Sequence, residues 1–188
     1  MYILKNLRNS LGQFFLRKEL LKCKRNRKPM SFNYIKTVGL LYKVPEENIF
    51  PAITEFVKFL QDNNKIVKAL GFTDTDYIPH YCFPKLTYDY FTKKNTNWFG
   101  KPTHKFVDDF IINDYDLMID LHTDENFTIQ YIGYICQSKF KVGIMNPSNV
   151  KHYDLMMSVP KDIELTEYIN QIKHYITQIN ISSNEQEV

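Results

Sequence analysis

Only three cysteines occur in 188 residues, Cys23, Cys82 and Cys136, odd in number and far apart. That excludes a disulfide scaffold and fits a reducing, cytoplasmic compartment. Glycine is scarce, at six. No Gly-x-Gly-x-x-Gly, P-loop or Gly-x-Ser-x-Gly element can be drawn from it, so the common phosphate-cradling loops and the hydrolase elbow are missing. Long apolar runs are missing too. The longest stretch without charge, residues 126–138, has 13 residues, short of the about 20 that a membrane-spanning helix needs. Charge also interrupts the first residues, and no small-residue cleavage site follows, so no secretory leader is read there. Histidine is sparse, at five. His80 and Cys82 stand too close for a standard ligand pair and His104 and His122 too far apart, so neither a metal nor a cofactor is expected.

What is present is the balance of a globular domain: 44% apolar, 24% charged and 15% aromatic residues. The net charge of +3 hides a division. Residues 1–31 carry nine Lys/Arg against one acid, Glu19, for a net of +8, and the rest of the chain carries −5. Leu4, Leu7, Leu11, Phe14 and Leu21 recur at helical spacing within the basic segment, which predicts an amphipathic helix stopped before Pro29. Such a helix either packs on the body, binds RNA or a ribonucleoprotein, or lies on an anionic membrane surface. The cations placed for an anionic partner are Arg17, Lys18, Lys22, Lys24, Arg25, Arg27 and Lys28. No aromatic is interleaved among residues 22–28, so base-specific readout is not expected.

The body alternates in period. Residues 35–42, 65–72, 115–121, 140–145 and 153–159 read as buried strands, with one further strand over 86–92. Helices are predicted from about 46 to 61, over 105–110, 127–138 and 162–179. This alternation means a three-layer, Rossmann-like α/β domain over 33–180, with a mostly parallel sheet and helices on both faces. It follows the basic arm, 1–31, and precedes a polar tail, 181–188. The turn 97–102 holds the only tryptophan and reads as a loop anchor, with Trp98 plugging the core edge and Gly100 allowing the turn.

In open parallel sheets, ligands bind at the carboxyl ends of strands. Asp120, His122, Thr123 and Asp124 stand where the third buried strand ends, and Thr73 and Ser148 follow two others. They form the candidate ligand crevice. Alternation from Leu117 puts Met118 and Asp120 on one face of the strand and Leu117, Ile119 and Leu121 on the other. A carboxylate at 120 must then be hydrogen-bonded or open to a crevice. No catalytic set is assigned. The leading expectation is a non-catalytic cytoplasmic binding or adaptor protein whose basic helix docks on an anionic partner, RNA or a ribonucleoprotein ahead of the inner-membrane surface, and the alternative is a ligand domain using the strand-end crevice.

The segments TVGLLY, NWFGKP, DYDLMIDL, SKFKVGI and YDLMMSV, with the basic N-terminal helix, resemble an uncharacterised bacterial family of about this size. That resemblance implies no activity. Residues 36–145 are also similar in order to the N-terminal Rossmann half of heptosyltransferase-type glycosyltransferases, through residues 115–121 and 139–143. This likeness implies the same fold and a nucleotide or nucleotide-sugar ligand at the strand ends. The Gly-Asp that carries the family's catalytic acid after the first strand is replaced by Lys43-Val44-Pro45.

Overall fold

Six short strands pair side by side in one direction, because their apolar residues run continuously and want cover on both faces. In the computed structural model, which describes residues 2–179, helix α1 (Tyr2–Lys22) comes first. There follow β1 (Thr37–Lys43), α2 (Phe50–Asp62), β2 (Ile66–Thr73), β3 (Tyr88–Thr92), α3 (Lys105–Ile112), β4 (Leu117–Asp120), α4 (Phe127–Ile135), β5 (Phe140–Ile144), β6 (Leu155–Met157) and α5 (Leu165–Gln178). The sheet order is β3-β2-β1-β4-β5-β6, and every pairing is parallel. The strand order reverses between β1 and β4, which is the Rossmann arrangement.

Two cores result. One lies under α2 and α5, where Ile53, Phe56, Val57 and Leu60 meet Tyr168, Ile169, Ile172 and Ile176. Burying each such side chain contributes about 1.5–3 kcal/mol before the entropy of ordering is counted. The other lies under α3, α4 and α1, where Val107, Phe110, Ile129, Ile132 and Leu16 join Leu41, Leu70 and Met118. The alternation expected in β4 holds: Leu117 and Ile119 enter the first core and Met118 the second.

Helix α1 differs from its expectation. It ends at Lys22, short of Pro29, because the next residues are drawn onto the sheet. Its body-facing side is Gly12, Leu16 and Leu20, not the leucine stripe. Leu7, Phe14 and Leu21 point outward, 51%, 52% and 86% exposed. The side chain of Leu4 and the tail 181–188 lie outside the described residues. Gly12 is what seats the helix: a Cβ there would stand 2.9 Å from the Phe127 ring and 3.2 Å from the Phe99 carbonyl oxygen.

The turn 97–102 does anchor, but through a different ring. Phe99 stacks on Phe15 of α1 with ring centres 4.8 Å apart, while Trp98 is 57% exposed. Gly100 sits at φ 87°, a conformation that a side chain would strain. In α5, Tyr168, Ile169, Ile172 and Ile176 turn inward at helical spacing, while Tyr175 faces water.

Candidate functional site

The loops that leave the carboxyl ends of β2, β3, β4 and β5 open onto one cavity of about 990 Å³. Phe72 and Asp74 come from the end of β2, Lys93 and Thr96 from beyond β3. Glu125, Asn126 and the first turn of α4 follow β4, and Asn146, Pro147 and Ser148 follow β5. The last wall is α1, through Arg8, Asn9 and Gln13. Amides and hydroxyls dominate this lining, with two cations, two carboxylates and the rings of Phe72 and Phe127. Local bonds hold the walls. Asn126 caps α4 by accepting the Ile129 N–H at 3.2 Å, Thr128 donates to the Gly100 carbonyl at 2.9 Å, and Lys93 stands 3.7 Å from Asp74.

Of the residues placed in the crevice from sequence, Ser148 lines this cavity, and the others are distributed around it. Thr73 is buried and shares a hydroxyl contact of 2.8 Å with Thr75. Thr123 is half-buried, and Asp124 is exposed and pairs with Lys43 at 2.6 Å. Asp120 and His122 are nearly inaccessible, at 1% and 4% exposure. Arg8, Asn9, Gln13, Lys93, Asn126 and Asn146 were missed. Asn146 follows a strand end, a signal that was legible; the contribution of α1 was not, since only folding brings residue 8 to residue 93.

Asp120 belongs to a closed polar cluster under α4. One carboxylate oxygen accepts the backbone N–H of His122 at 3.1 Å and meets its ring Nδ1 at 2.5 Å. The other accepts from the Tyr153 hydroxyl, and Tyr168 donates to the Asp120 carbonyl at 3.2 Å. Gly133 makes room, since a Cβ there would collide with the Tyr153 hydroxyl at 2.3 Å. Burial opposes charge on His122, but the Asp120 carboxylate outweighs it, so the imidazole is raised above its ordinary value. Burial and the same carboxylate hold the Tyr153 hydroxyl protonated, well above the usual phenol range.

The seven cations of residues 17–28 are divided by the fold. Arg17, Lys18, Lys22 and Lys24 are exposed. Arg25 is not available to a partner: it donates to the carbonyls of Ser138, Lys139 and His152 and pairs with Asp154. Arg27 donates to the Lys151 carbonyl at 2.5 Å and stands 3.7 Å from Asp154. Lys28 is half-buried, and its backbone N–H bonds the Lys139 carbonyl at 3.1 Å. These contacts bind residues 25–28 to the amino ends of β5 and β6. Beside them Lys141, wholly buried, donates to the carbonyls of Gly133 and Tyr134 at 2.8 and 2.9 Å. It thereby caps the negative end of α4, and burial lowers its ammonium to about 8.

Among the described residues, no group of three His, Cys, Asp or Glu side chains is placed to hold a metal ion, and no helix is long and apolar enough to cross a membrane. Over residues 8–179 the chain matches the family of unknown function DUF6913, and it belongs to that family. No curated protein and no solved structure matches it.

Proposed function

We propose that the domain binds a small polar, phosphate-bearing ligand, a nucleotide or nucleotide sugar, in the cavity at the carboxyl ends of its strands. The observation that carries this reading is convergence: α1 and four separate strand-end loops contribute side chains to one space of about 990 Å³. Parallel sheets of this order bind ligands at that end, and the volume is that of a small-molecule site. Arg8 and Lys93 offer charge for phosphate, the amides and hydroxyls suit a sugar, and the half-buried Phe127 offers an apolar face. The likeness of residues 36–145 to glycosyltransferase Rossmann halves suggests the same ligand class. Binding is proposed, not turnover, for the loop after β1 carries Lys43-Val44-Pro45 where that family has its catalytic acid.

Isothermal titration with ATP, UDP and UDP-glucose tests the reading, with Lys93→Ala and Asn146→Ala as paired variants. Saturable binding to one of the three, weakened about tenfold or more by the variants, supports it, since a charge-assisted phosphate contact contributes about 1.5–3 kcal/mol. No heat with any of them, or binding untouched by both variants, sinks it.

A further inference from the structure

Helix α1 has two apolar faces, and the body uses one. A helix turns 100° per residue, so Gly12, Leu16 and Leu20 share the side that meets α4 and the sheet. Leu7, Leu11, Phe14, Lys18 and Leu21 share the opposite side. Leu7, Phe14 and Leu21 fall two turns apart and extend about 21 Å along the helix, each at least half exposed. Cations accompany this line: Arg17 and Lys22 flank it, Lys24 lies just beyond, and Lys18 sits in it, its ammonium 5.1 Å from the Phe14 ring centre. The single acid, Glu19, contacts Lys101 at 3.4 Å and, through its other oxygen, Lys22 at 3.7 Å, which among the described residues leaves Arg17, Lys18 and Lys24 as the cations of this side without an acid beside them on the helix.

We propose that this outer face of α1 docks the protein on an anionic lipid surface. The helix would lie flat, with Leu7, Phe14 and Leu21 in the headgroup–acyl boundary and Arg17, Lys18, Lys22 and Lys24 on lipid phosphates. Charge decides against a second copy as the occupant, because two such faces would bring cation against cation. The apolar line decides against RNA. A polyanion would satisfy the lysines but leave Leu7 and Leu21 in water, and Lys18 already covers the Phe14 ring that a base would stack on. The face is preformed on a packed helix, so docking needs no folding of the segment. This inference is independent of the ligand cavity, which lies beside the opposite half of the helix surface.

The test uses the full chain. It is sedimented with vesicles of phosphatidylcholine alone and of phosphatidylcholine with phosphatidylglycerol, and titrated in parallel with single-stranded poly(U). Two variants are compared, L7S/F14S/L21S and R17Q/K18Q/K22Q/K24Q. All the changed residues are exposed, and matching thermal melts verify that both variants fold. The expected result is co-sedimentation with the anionic vesicles only, reduced about tenfold or more by each variant. No co-sedimentation, or binding indifferent to the apolar variant, overturns the proposal. Poly(U) binding lost only in the charge variant makes the partner nucleic acid instead, and a concentration-dependent dimer abolished by the apolar variant makes it a second copy. Either outcome also overturns the lipid assignment.

Discussion

Asp120 shows how one side chain is settled by its surroundings. A buried carboxylate survives only when its oxygens are satisfied, and here the His122 backbone and ring serve one and the Tyr153 hydroxyl the other. The cluster does not line the cavity, so it holds the end of β4 in place under α4. Asp120→Asn keeps the shape but exchanges an acceptor for a donor facing Tyr153 or His122. The expected outcome is a loss of about 1–3 kcal/mol in urea unfolding, with ligand binding in the cavity unchanged. In the same variant the His122 ring, freed from its carboxylate and left with burial, should titrate below its wild-type value, which an NMR pH titration reads directly.

At the scale of elements, α1 depends on one close approach. Its contact with α4 and the turn 97–102 passes over Gly12, where the space left is less than a methyl group needs. The Phe127 ring can yield by rotation, but the Phe99 carbonyl is backbone and moves only with its turn. Gly12→Val should therefore lift the first half of the helix. The Phe15–Phe99 stack would be lost and the cavity wall of Arg8, Asn9 and Gln13 displaced. Faster tryptic cleavage within residues 8–24 and weaker ligand binding are the expected outcomes. Cleavage no faster than wild type would mean that α1 is held by its second half alone, through Leu16, Leu20 and the Arg25 bonds.

At the scale of the whole molecule, two histidines set opposite limits on stability. The His122 pKa is raised in the folded state. Its contribution is fully present below the unfolded value of about 6.5 and is lost as pH rises through the folded value. His152 is the reverse. It lies flat on Tyr134, ring centres 3.9 Å apart, and burial followed by the charge of Lys141 and Arg27 lowers it from 6.5 to about 4. Here the unfolded ring takes the proton first, so stability declines as pH falls from 6.5 toward about 4. The urea midpoint should pass through a maximum near the point where these limbs meet. His152→Phe keeps the stacking and removes the titration, so its acid limb should be shallower. An acid limb as steep as in wild type would assign that loss to carboxylates elsewhere.

Local order was written plainly in the chain. Continuous apolar runs with β-branched residues specified buried strands, 3.6-residue periodicity specified α2 and α5, and their alternation specified a parallel α/β sheet. These are properties of neighbours in sequence, and physics at that range decides them. The face of Asp120 was legible for the same reason, because strand alternation has a period of two. The hydrogen-bond partners of Asp120 were not, since Tyr153 lies 33 residues away. The strongest helical stripe in α1 pointed the wrong way. Periodicity reports that a helix has an apolar face but not which face a neighbour will cover, and Gly12 together with Leu16 fitted α4 better than the row of leucines. The division of the basic residues into four left in water and others bound to carbonyls and Asp154 followed from where residues 25–28 cross the sheet. The cavity was hidden most completely. It is built from α1 and four loops far apart in the chain, and only the packing of α1 on the finished sheet brings them to one place.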